Sequence, residues 1–246
     1  LKGDVAKSVK AVEKIKHNGK LMMALFEQQP QREIPIRSDD PVRGEGQGLF
    51  DVVVFSDFQC PRCRDFAQRV DTQVHELFGS DLRVIFKHYP LCVDCNTQIS
   101  RTMHPSACRA ARAAEAARLQ GGSQAFWAMH DRLFADQRNL TFFNYRGVAV
   151  ELGLSPEKLL AEMESDVVAE RIEADNRLAT QLNVRGTPAV FVMGRRVDSI
   201  ARSSDAFWNE LRTRYRQALD QRNAALEPGA ERDAGVPASE SPEPSP

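Results

Sequence analysis

Five cysteines stand out in the sequence, because four of them form two Cys-x-x-Cys pairs, Cys60 with Cys63 and Cys92 with Cys95. Such pairs either exchange thiols for disulfides or bind zinc through four thiolates. Thiol exchange needs one accessible thiolate, a second thiol that resolves the mixed disulfide, and surroundings that lower the pKa of the first thiol. The segment from Cys60 to Cys63 offers all three, which favours redox chemistry there.

The residues around Cys60 indicate why its thiolate would be stable. Cys60 follows a predicted strand and precedes a predicted helix, in which Pro61 suits the first position. Unpaired backbone N–H groups at that helix end and the positive charge of Arg62 both favour a thiolate. We therefore expect the pKa of Cys60 to lie well below the ordinary value of about 8.5. We expect Cys63 to stay protonated and covered.

Zinc binding by Cys60, Cys63, Cys92 and Cys95 is the alternative, since two such pairs about thirty residues apart form a four-cysteine zinc pattern. It would make the chain an interaction module rather than an enzyme. Zinc knuckles usually carry a glycine just after the second cysteine, whereas Arg64 continues an amphipathic helix here. The flanking residues therefore favour exchange over zinc.

The other three cysteines, Cys92, Cys95 and Cys108, lie outside this segment. A bond between Cys95 and Cys108 would close a loop of about fourteen residues, which stabilises a fold by roughly 3 kcal/mol, whereas a Cys92–Cys95 bond would be strained. We favour a structural Cys95–Cys108 disulfide with Cys92 left as an odd thiol. The rival is a second redox centre at Cys92 and Cys95.

Several other residue types receive no chemical role. His88, His104 and His130 lack metal-ligand spacing, and we expect them on loops or helix surfaces. A group of aromatic residues is predicted to form the core of a helical region or to line a peptide groove. Its members are Phe126, Trp127, Phe134, Phe142 and Phe143.

The composition limits the classes of protein that these residues can belong to. The chain has 246 residues, 42% of them hydrophobic, enough for a large core. Its 33 Lys and Arg are scattered among 34 Asp and Glu, and the net charge of -1 argues against nucleic acid. The longest apolar stretch, around residues 49–58, is too short to span a membrane. Because the sequence starts at Leu1 without Met, we expect a processed or trimmed part of a longer product.

The elements that would position Cys60 follow from the pattern of apolar residues. Residues 51–55 predict a buried strand, a helix runs from Pro61 to Gly79, and residues 81–89 predict a second strand. The stretch of about 104–181 is helical, and it precedes a turn at residues 183–188. Further predictions are an N-terminal helix or helix pair within 4–29 broken near 18–19, a short strand at 34–37, a hairpin over 189–198 and a last helix over 204–225.

Four segments occur in an order that resembles one family. They are Phe55–Cys63, Phe86–Leu91, Phe126–His130 and Gly186–Phe191. Together they resemble the DsbA-like thiol-disulfide oxidoreductases over about residues 40–222. The resemblance implies an α/β chain with a thioredoxin fold, an inserted helical domain and an N-terminal helical extension. It also implies that Pro188 is cis and lies against the Cys60 sulfur, and that backbone groups near Thr187 pair with a bound peptide.

The resemblance, together with the apolar periodicity before residue 30 and the Pro-, Ser- and Glu-rich composition of the last residues, divides the chain into segments. The extension covers residues 1–30, and a linker or edge strand covers 31–48. The thioredoxin-fold core covers 49–98 and 183–225, the helical insertion 99–182, and a disordered tail 226–246. The extension is expected either to dock on its own domain or to self-associate through residues 4–29.

Two departures from the family pattern concern the chemistry. Family members usually have a buried acid six residues before the first active cysteine, as a proton relay, and this chain has Val54 there. Asp57 is the nearest acid, and it could move protons or cap the helix or loop. The second departure is the Pro61-Arg62 dipeptide, which replaces the Pro-His of the best-known oxidase of the family. The redox strength of that oxidase is therefore not assumed for this chain.

The function that the resemblance implies is protein thiol-disulfide exchange on exported proteins. Cys60 would be the reacting sulfur and Cys63 the resolving one, with Pro61, Arg62, Thr187 and Pro188 positioning the substrate. No cofactor or metal is implied beyond the redox-active disulfide. A membrane partner of quinone-reductase type and a periplasmic location, with a possible tether outside this chain, are further expectations. Oxidase, isomerase and reductase are not distinguished, and a glutathione-dependent transferase or isomerase of the same fold stays open.

Overall fold

A five-stranded sheet forms the centre of the computed structural model, which describes residues 12–44 and 50–226. The strands lie in the order β1-β3-β2-β4-β5. β2 and β3 are parallel, and the other neighbouring pairs are antiparallel. The strands are β1 (Val42–Arg43), β2 (Phe50–Ser56), β3 (Leu82–His88), β4 (Ala189–Val192) and β5 (Arg195–Val197).

Residues 12–16 are helical, and the helices that follow residue 18 are numbered here in chain order. They are α1 (Gly19–Glu27), α2 (Pro61–Arg69), α3 (His75–Phe78), α4 (Ala107–Ala135), α5 (Tyr145–Glu151), α6 (Pro156–Met163), α7 (Asp166–Gln181), α8 (Ser199–Arg202) and α9 (Asp205–Leu226). A π-helical segment at Val70–Val74 joins α2 to α3 without a break, and a 3-10 helix at Gln137–Phe142 follows α4. None of the described helices is both long and apolar enough to cross a membrane.

The strand β2 carries the segment that ends at Cys60. Its run of β-branched valines favours a strand that is covered on both faces, and it lies between β3 and β4. Val54 pairs with Phe86 on one side and Val190 on the other. The helix beyond Cys60 ends at Phe78, because Gly79 has a φ of 54° that few other residues adopt. These elements form the predicted β-α-β unit.

The helical insertion lies between β3 and β4. Its first helix, α4, is kinked where Gly121 and Gly122 leave helical geometry, Gly122 with a φ of 64°. Ser155 and Ser165 cap the starts of α6 and α7 by accepting backbone N–H bonds. Most of the predicted aromatic core is buried, but Phe142 is 82% exposed and does not belong to it.

The predicted strand at residues 34–37 is wrong. Those residues have no regular secondary structure, and the edge strand is β1 instead. Arg37 and Asp40 explain the difference, because the Arg37 N–H donates to the Asp40 carboxylate at 2.7 Å and Asp40 N–H donates to Arg37 O at 3.1 Å. This turn uses backbone groups that a sheet would need. Buried Asp40 also accepts from Lys87 Nζ at 2.6 Å, which ties the segment to β3.

The N-terminal extension packs on its own chain. The break predicted near residues 18–19 is present, since the Asn18 side chain caps α1 by accepting from Leu21 N–H at 3.0 Å. Phe26 of α1 packs against Phe207, with ring centroids 5.5 Å apart. Self-association through residues 4–29 stays a prediction. Residues 1–11 and 45–49, and the predicted tail from 227 onward, lie outside the described residues.

The chain divides into two compact units. Residues 1–212 form one unit, which contains the sheet and the insertion. Residues 213–246 form the other, and its described part is the remainder of α9. All residues discussed below belong to the first unit.

Candidate active site

Cys60 occupies the residue just before α2, in an extended conformation with φ of -76° and ψ of 116°. Pro61 takes the first helical position, as its missing N–H permits. The Cys60 carbonyl accepts the N–H groups of Cys63 at 3.0 Å and Arg64 at 3.3 Å, so the helix starts directly at the cysteine. Residue 60 therefore lies at the N-terminal end of the helix dipole, where a thiolate is favoured.

The two cysteines of this segment differ in their pKa values. Cys60 is 6% exposed and its pKa is lowered to about 6, chiefly by the hydrogen bond that the Cys63 thiol donates to its sulfur. Cys63 is 2% exposed, and burial raises its pKa well above the ordinary value. The low pKa of Cys60 thus depends mainly on Cys63 rather than on Arg62, which is exposed. At neutral pH this arrangement gives one thiolate and one covered thiol.

The loop before β4 contacts the sulfur of Cys60. The Thr187–Pro188 peptide bond is cis, and the Cys60 thiol lies 3.5 Å from the Thr187 carbonyl oxygen, to which it donates when protonated. Arg202, at the end of α8, donates from Nη1 to the Pro188 carbonyl at 2.6 Å. The loop is therefore held between Cys60 and α8. The sequence offered no sign of the part that Arg202 plays.

Asp57 organises the turn between β2 and Cys60. Its buried carboxylate accepts the Gln59 N–H at 2.7 Å through Oδ1. Oδ2 accepts the Leu91 N–H at 2.7 Å and lies 2.8 Å from His104 Nδ1. The hydrogen bond with Asp57 raises the pKa of His104. Of the two roles considered for Asp57, these contacts favour the cap, and His104 is joined to the turn rather than lying free on a loop.

Gln137 reaches the same turn from the helical insertion. It is 6% exposed and donates from Nε2 to the carbonyls of Phe58 at 2.8 Å and Cys60 at 2.9 Å. A further contact joins the two regions, since the Ser106 N–H donates to Gln59 Oε1 at 2.8 Å. The insertion therefore fixes the backbone on which Cys60 stands. No motif in the sequence marks Gln137.

The surroundings of Cys63 are largely apolar. A small cavity of about 20 Å³ lies beside it, lined among others by Val54, Ser56, Trp127 and His130. At the position of the usual family acid, the structure thus puts a valine next to the covered thiol. His130 is buried, and burial lowers its pKa. The prediction of a surface position is wrong for His130.

His88 is also buried, so the surface prediction fails for it as well. It ends β3, and its Nε2 lies 3.0 Å from the buried carboxylate of Glu115. The surface positions of His88 and His130 were predicted from the absence of metal-ligand spacing, and that spacing carries no information about burial. The partner of His88 comes from the helical insertion, whereas His130 lies in that insertion and packs against Phe58 and Phe86 of the core.

Cys95 and Cys108 form a disulfide with Cα atoms 5.7 Å apart. Its sulfurs are unavailable as zinc ligands, so a zinc site of Cys60, Cys63, Cys92 and Cys95 does not fit this arrangement. Cys92 is a buried free thiol that packs against the disulfide, and the Cys92–Cys95 redox pair does not form in this arrangement.

Comparison with known proteins places this site in a family. The model of the DSBA-like thioredoxin domain matches residues 51–212, which include all of β2 but its first residue, the Cys60–Cys63 segment, the insertion and the cis-proline loop. The chain belongs to the DSBA-like thioredoxin domain family. This confirms the resemblance inferred from the motifs, together with the thioredoxin fold and its helical insertion.

Solved structures related to this DSBA-like domain agree in fold. The oxidised BdbD of Bacillus subtilis superposes with a TM-score of 0.60 at 20% identity, covering 78% of this chain and 97% of that protein. A thioredoxin-like oxidoreductase from Silicibacter pomeroyi has a TM-score of 0.51 at 27% identity, covering 77% of this chain and 95% of that one.

A curated relative of the DSBA-like domain is a longer protein. The chain is 35% identical over 158 residues to a Na(+)/H(+) antiporter NhaA of Herminiimonas arsenicoxydans. The match covers 64% of this chain and 23% of that protein. The chain thus spans about a quarter of the length of the curated relatives it matches.

Proposed function

We propose that this DSBA-like domain exchanges disulfides with the cysteines of other proteins through Cys60 and Cys63. The observation that carries the proposal is the opposite shift of the two pKa values, to about 6 for Cys60 and well upward for Cys63. A thiol with a pKa of about 6 is mostly thiolate at neutral pH, which is both the nucleophile and the better leaving group. A covered, protonated neighbour is suited to resolve the mixed disulfide.

The exchange starts from the disulfide form of Cys60 and Cys63. A substrate thiolate attacks the Cys60 sulfur, a substrate–Cys60 bond forms, the Cys60–Cys63 bond breaks, and the electron pair leaves on Cys63, which takes up a proton. A second substrate thiolate then attacks the substrate sulfur of the mixed disulfide and expels the Cys60 thiolate. The substrate loses two electrons and two thiol protons and gains a disulfide. The reverse sequence reduces or rearranges one.

Stabilisation of the Cys60 thiolate supports net oxidation of the substrate. A stable thiolate stabilises the reduced enzyme, and this makes the disulfide form a stronger oxidant. The cis-proline loop supports a protein substrate, because backbone groups near Thr187 and Pro188 flank the Cys60 sulfur. In this proposal Pro61 and Arg62 form the other side of the contact with the substrate chain.

The substrates and partners follow from this assignment. We propose that exported proteins are the substrates, that the domain works in the periplasm or another extracytoplasmic space, and that a membrane partner of quinone-reductase type restores the disulfide. The antiporter activity in the name of the curated relatives is not part of the proposal, since about a quarter of their length is aligned.

Serine variants of the two cysteines test the proposal. Cys60→Ser should abolish oxidation of a dithiol peptide, because no sulfur can then accept the substrate thiolate. Cys63→Ser should accumulate a mixed disulfide when it is given the same peptide in its disulfide form, because the Cys60 thiolate attacks the peptide disulfide, a peptide thiolate leaves and no Cys63 thiol resolves the product; mass spectrometry without reductant detects it. Cys92→Ser is the matched control and should exchange normally. Undiminished exchange by the Cys60 variant would refute the proposal, and exchange independent of Cys63 would favour a glutathione-type transferase.

A further inference from the structure

A basic groove opens beside the candidate active site, between α2 and α8. Its volume is about 410 Å³, and its polar lining consists of Arg62, Asp65, Arg69, Ser199, Arg202 and Ser203. Three arginines therefore face one space in a chain whose net charge is only -1. The charge is local, and the overall composition does not reveal it.

The arginines of this groove are unequally paired. Arg69 forms an ion pair with Asp205 at 2.5 Å, and Asp65 lies 3.5 Å from Arg64, so these charges are partly matched. For Arg62 and Arg202 the described residues provide no carboxylate within ion-pair distance. Two positive charges of the groove thus have no anionic partner in the described part of the chain.

Arg202 is held in position to receive such a partner. One of its nitrogens, Nη1, is used by the Pro188 carbonyl at 2.6 Å, and the planar guanidinium has further N–H groups on its other edges. Burial lowers the pKa of Arg202, and the charge of Arg62 acts in the same direction. Cys63, Cys60 and Asp198 act in the opposite direction, but the two cysteines carry no charge when they form their disulfide, and Asp198 Oδ1 already accepts the N–H groups of Ile200 and Ala201. A carboxylate in the groove would therefore offset the repulsion between Arg62 and Arg202 and the cost of burying the charge of Arg202.

The groove lies close to the reacting sulfur. Arg62 is two residues beyond Cys60 on the same helix start. Arg202 binds the carbonyl of Pro188, and the preceding carbonyl, that of Thr187, lies 3.5 Å from Cys60 Sγ. A polypeptide whose cysteine reached Cys60 would extend its neighbouring side chains toward these two arginines.

We propose that this groove binds the carboxylate of an Asp or Glu that neighbours the reacting cysteine of the substrate polypeptide. The inference rests on the proposed function and names a substrate class for the same site. It adds a charged contact to the backbone contacts near Thr187 that the family resemblance implies. An arginine binds a carboxylate through paired N–H bonds, so a short acidic side chain suits Arg62 and Arg202.

Matched peptides distinguish the effect of carboxylate binding in the groove from the reactivity of Cys60. Three dithiol peptides that differ only in having Glu, Gln or Lys next to the reacting cysteine are oxidised by the whole chain in its Cys60–Cys63 disulfide form. The second-order rate constant is measured for each at low ionic strength. The ratio of the Glu to the Gln peptide is then compared between proteins, because changes in Cys60 reactivity cancel in it.

The wild-type chain should oxidise the Glu peptide about fivefold faster than the Gln peptide, as expected for two ion pairs at the protein surface, and the Lys peptide more slowly still. Added salt should reduce the ratio toward one. Arg62→Gln should lower it to about twofold, and Arg62→Glu should reverse the preference in favour of Lys. Arg62 is exposed, so these variants should fold. Arg146→Gln, an exposed arginine of α5 that pairs with Glu157, is the control and should keep the wild-type ratio.

Each other outcome has a distinct meaning. Equal rates for all three peptides, with exchange intact, would overturn the groove proposal and leave the proposed function standing. No exchange with any peptide would overturn the proposed function itself. Glutathione carries carboxylates too, so a slower reaction of Arg62→Gln with glutathione, with equal peptide rates, would assign the groove to that small thiol and overturn the peptide proposal.

Discussion

His104 Nδ1 lies 2.8 Å from Oδ2 of the buried Asp57, and this contact joins the loop after β3 to the turn before Cys60. The same oxygen accepts the Leu91 N–H at 2.7 Å. Asp57 is thus a shared acceptor for two chain segments, and Gln137 holds the turn from a third. The geometry at Cys60 depends on residues that are distant in sequence.

The His104–Asp57 contact should make stability pH-dependent. The pKa of His104 is raised, so the folded chain holds the proton more tightly than the unfolded chain. The contribution is fully present below the unfolded pKa of about 6.5 and is lost as the pH rises through the raised value. In urea unfolding, His104→Gln should be less stable than wild type by about 1 kcal/mol at low pH, and the difference should shrink as the pH rises. A constant difference across that range would contradict this origin of the raised pKa.

The Cys63 thiol should control the pKa of Cys60. Cys63→Ala removes the hydrogen bond that contributes most to the lowered value, so the pKa of Cys60 should rise from about 6 toward its ordinary range. Cys63→Ser keeps a hydroxyl donor at the same place and should hold the pKa nearer to that of wild type. The pKa is read from the pH dependence of thiolate ultraviolet absorbance or of alkylation rate. Equal values in the two variants would exclude the hydrogen bond as the main cause.

Gln137 should act as a positioning residue for the Cys60 turn. Gln137→Leu leaves the carbonyls of Phe58 and Cys60 without their donor, which should lower the free energy of unfolding by about 2 kcal/mol. The displaced turn should also shift the pKa of Cys60, a change that a purely structural loss elsewhere would not cause. Arg138→Leu is the control, because Arg138 follows Gln137 in the same 3-10 segment but is exposed. If Gln137→Leu has the same Cys60 pKa and the same exchange rate as wild type and Arg138→Leu, Gln137 does not position the site.

The Cys95–Cys108 disulfide should stabilise the chain without taking part in exchange. Its two cysteines are 13 residues apart, and replacing both by Ala should cost about 3 kcal/mol of unfolding free energy in the loop-entropy model. The rate of peptide oxidation at Cys60, measured well below the unfolding temperature, should change little. Cys92→Ala serves as the comparison, since it removes a buried thiol without opening a loop. Loss of exchange in either variant would revive the second redox centre.

Local patterns in the sequence predicted the parts of the fold that depend on neighbouring residues. The continuous β-branched run predicts β2, the glycine at 79 ends the helix after Cys60, and loop length favours the Cys95–Cys108 bond over a bond between adjacent cysteines. The strand at residues 34–37 failed because Arg37 and Asp40 close a turn with side-chain and backbone bonds that apolar spacing does not register.

The sequence by itself determined the redox pair, its place at the start of a helix and the family to which the chain belongs. The first two depend on consecutive residues, and the third depends on the order of the motifs. Only the tertiary structure decided which side chains surround the pair: His104, Gln137 and Arg202 reach it from segments that are far along the chain. It also decided that His88 and His130 are buried. The physical reason is that a hydrogen bond or an ion pair between distant segments forms only after the helices pack on the sheet. Hydrophobic periodicity predicts the helices and strands but does not identify which polar side chains of distant segments become partners.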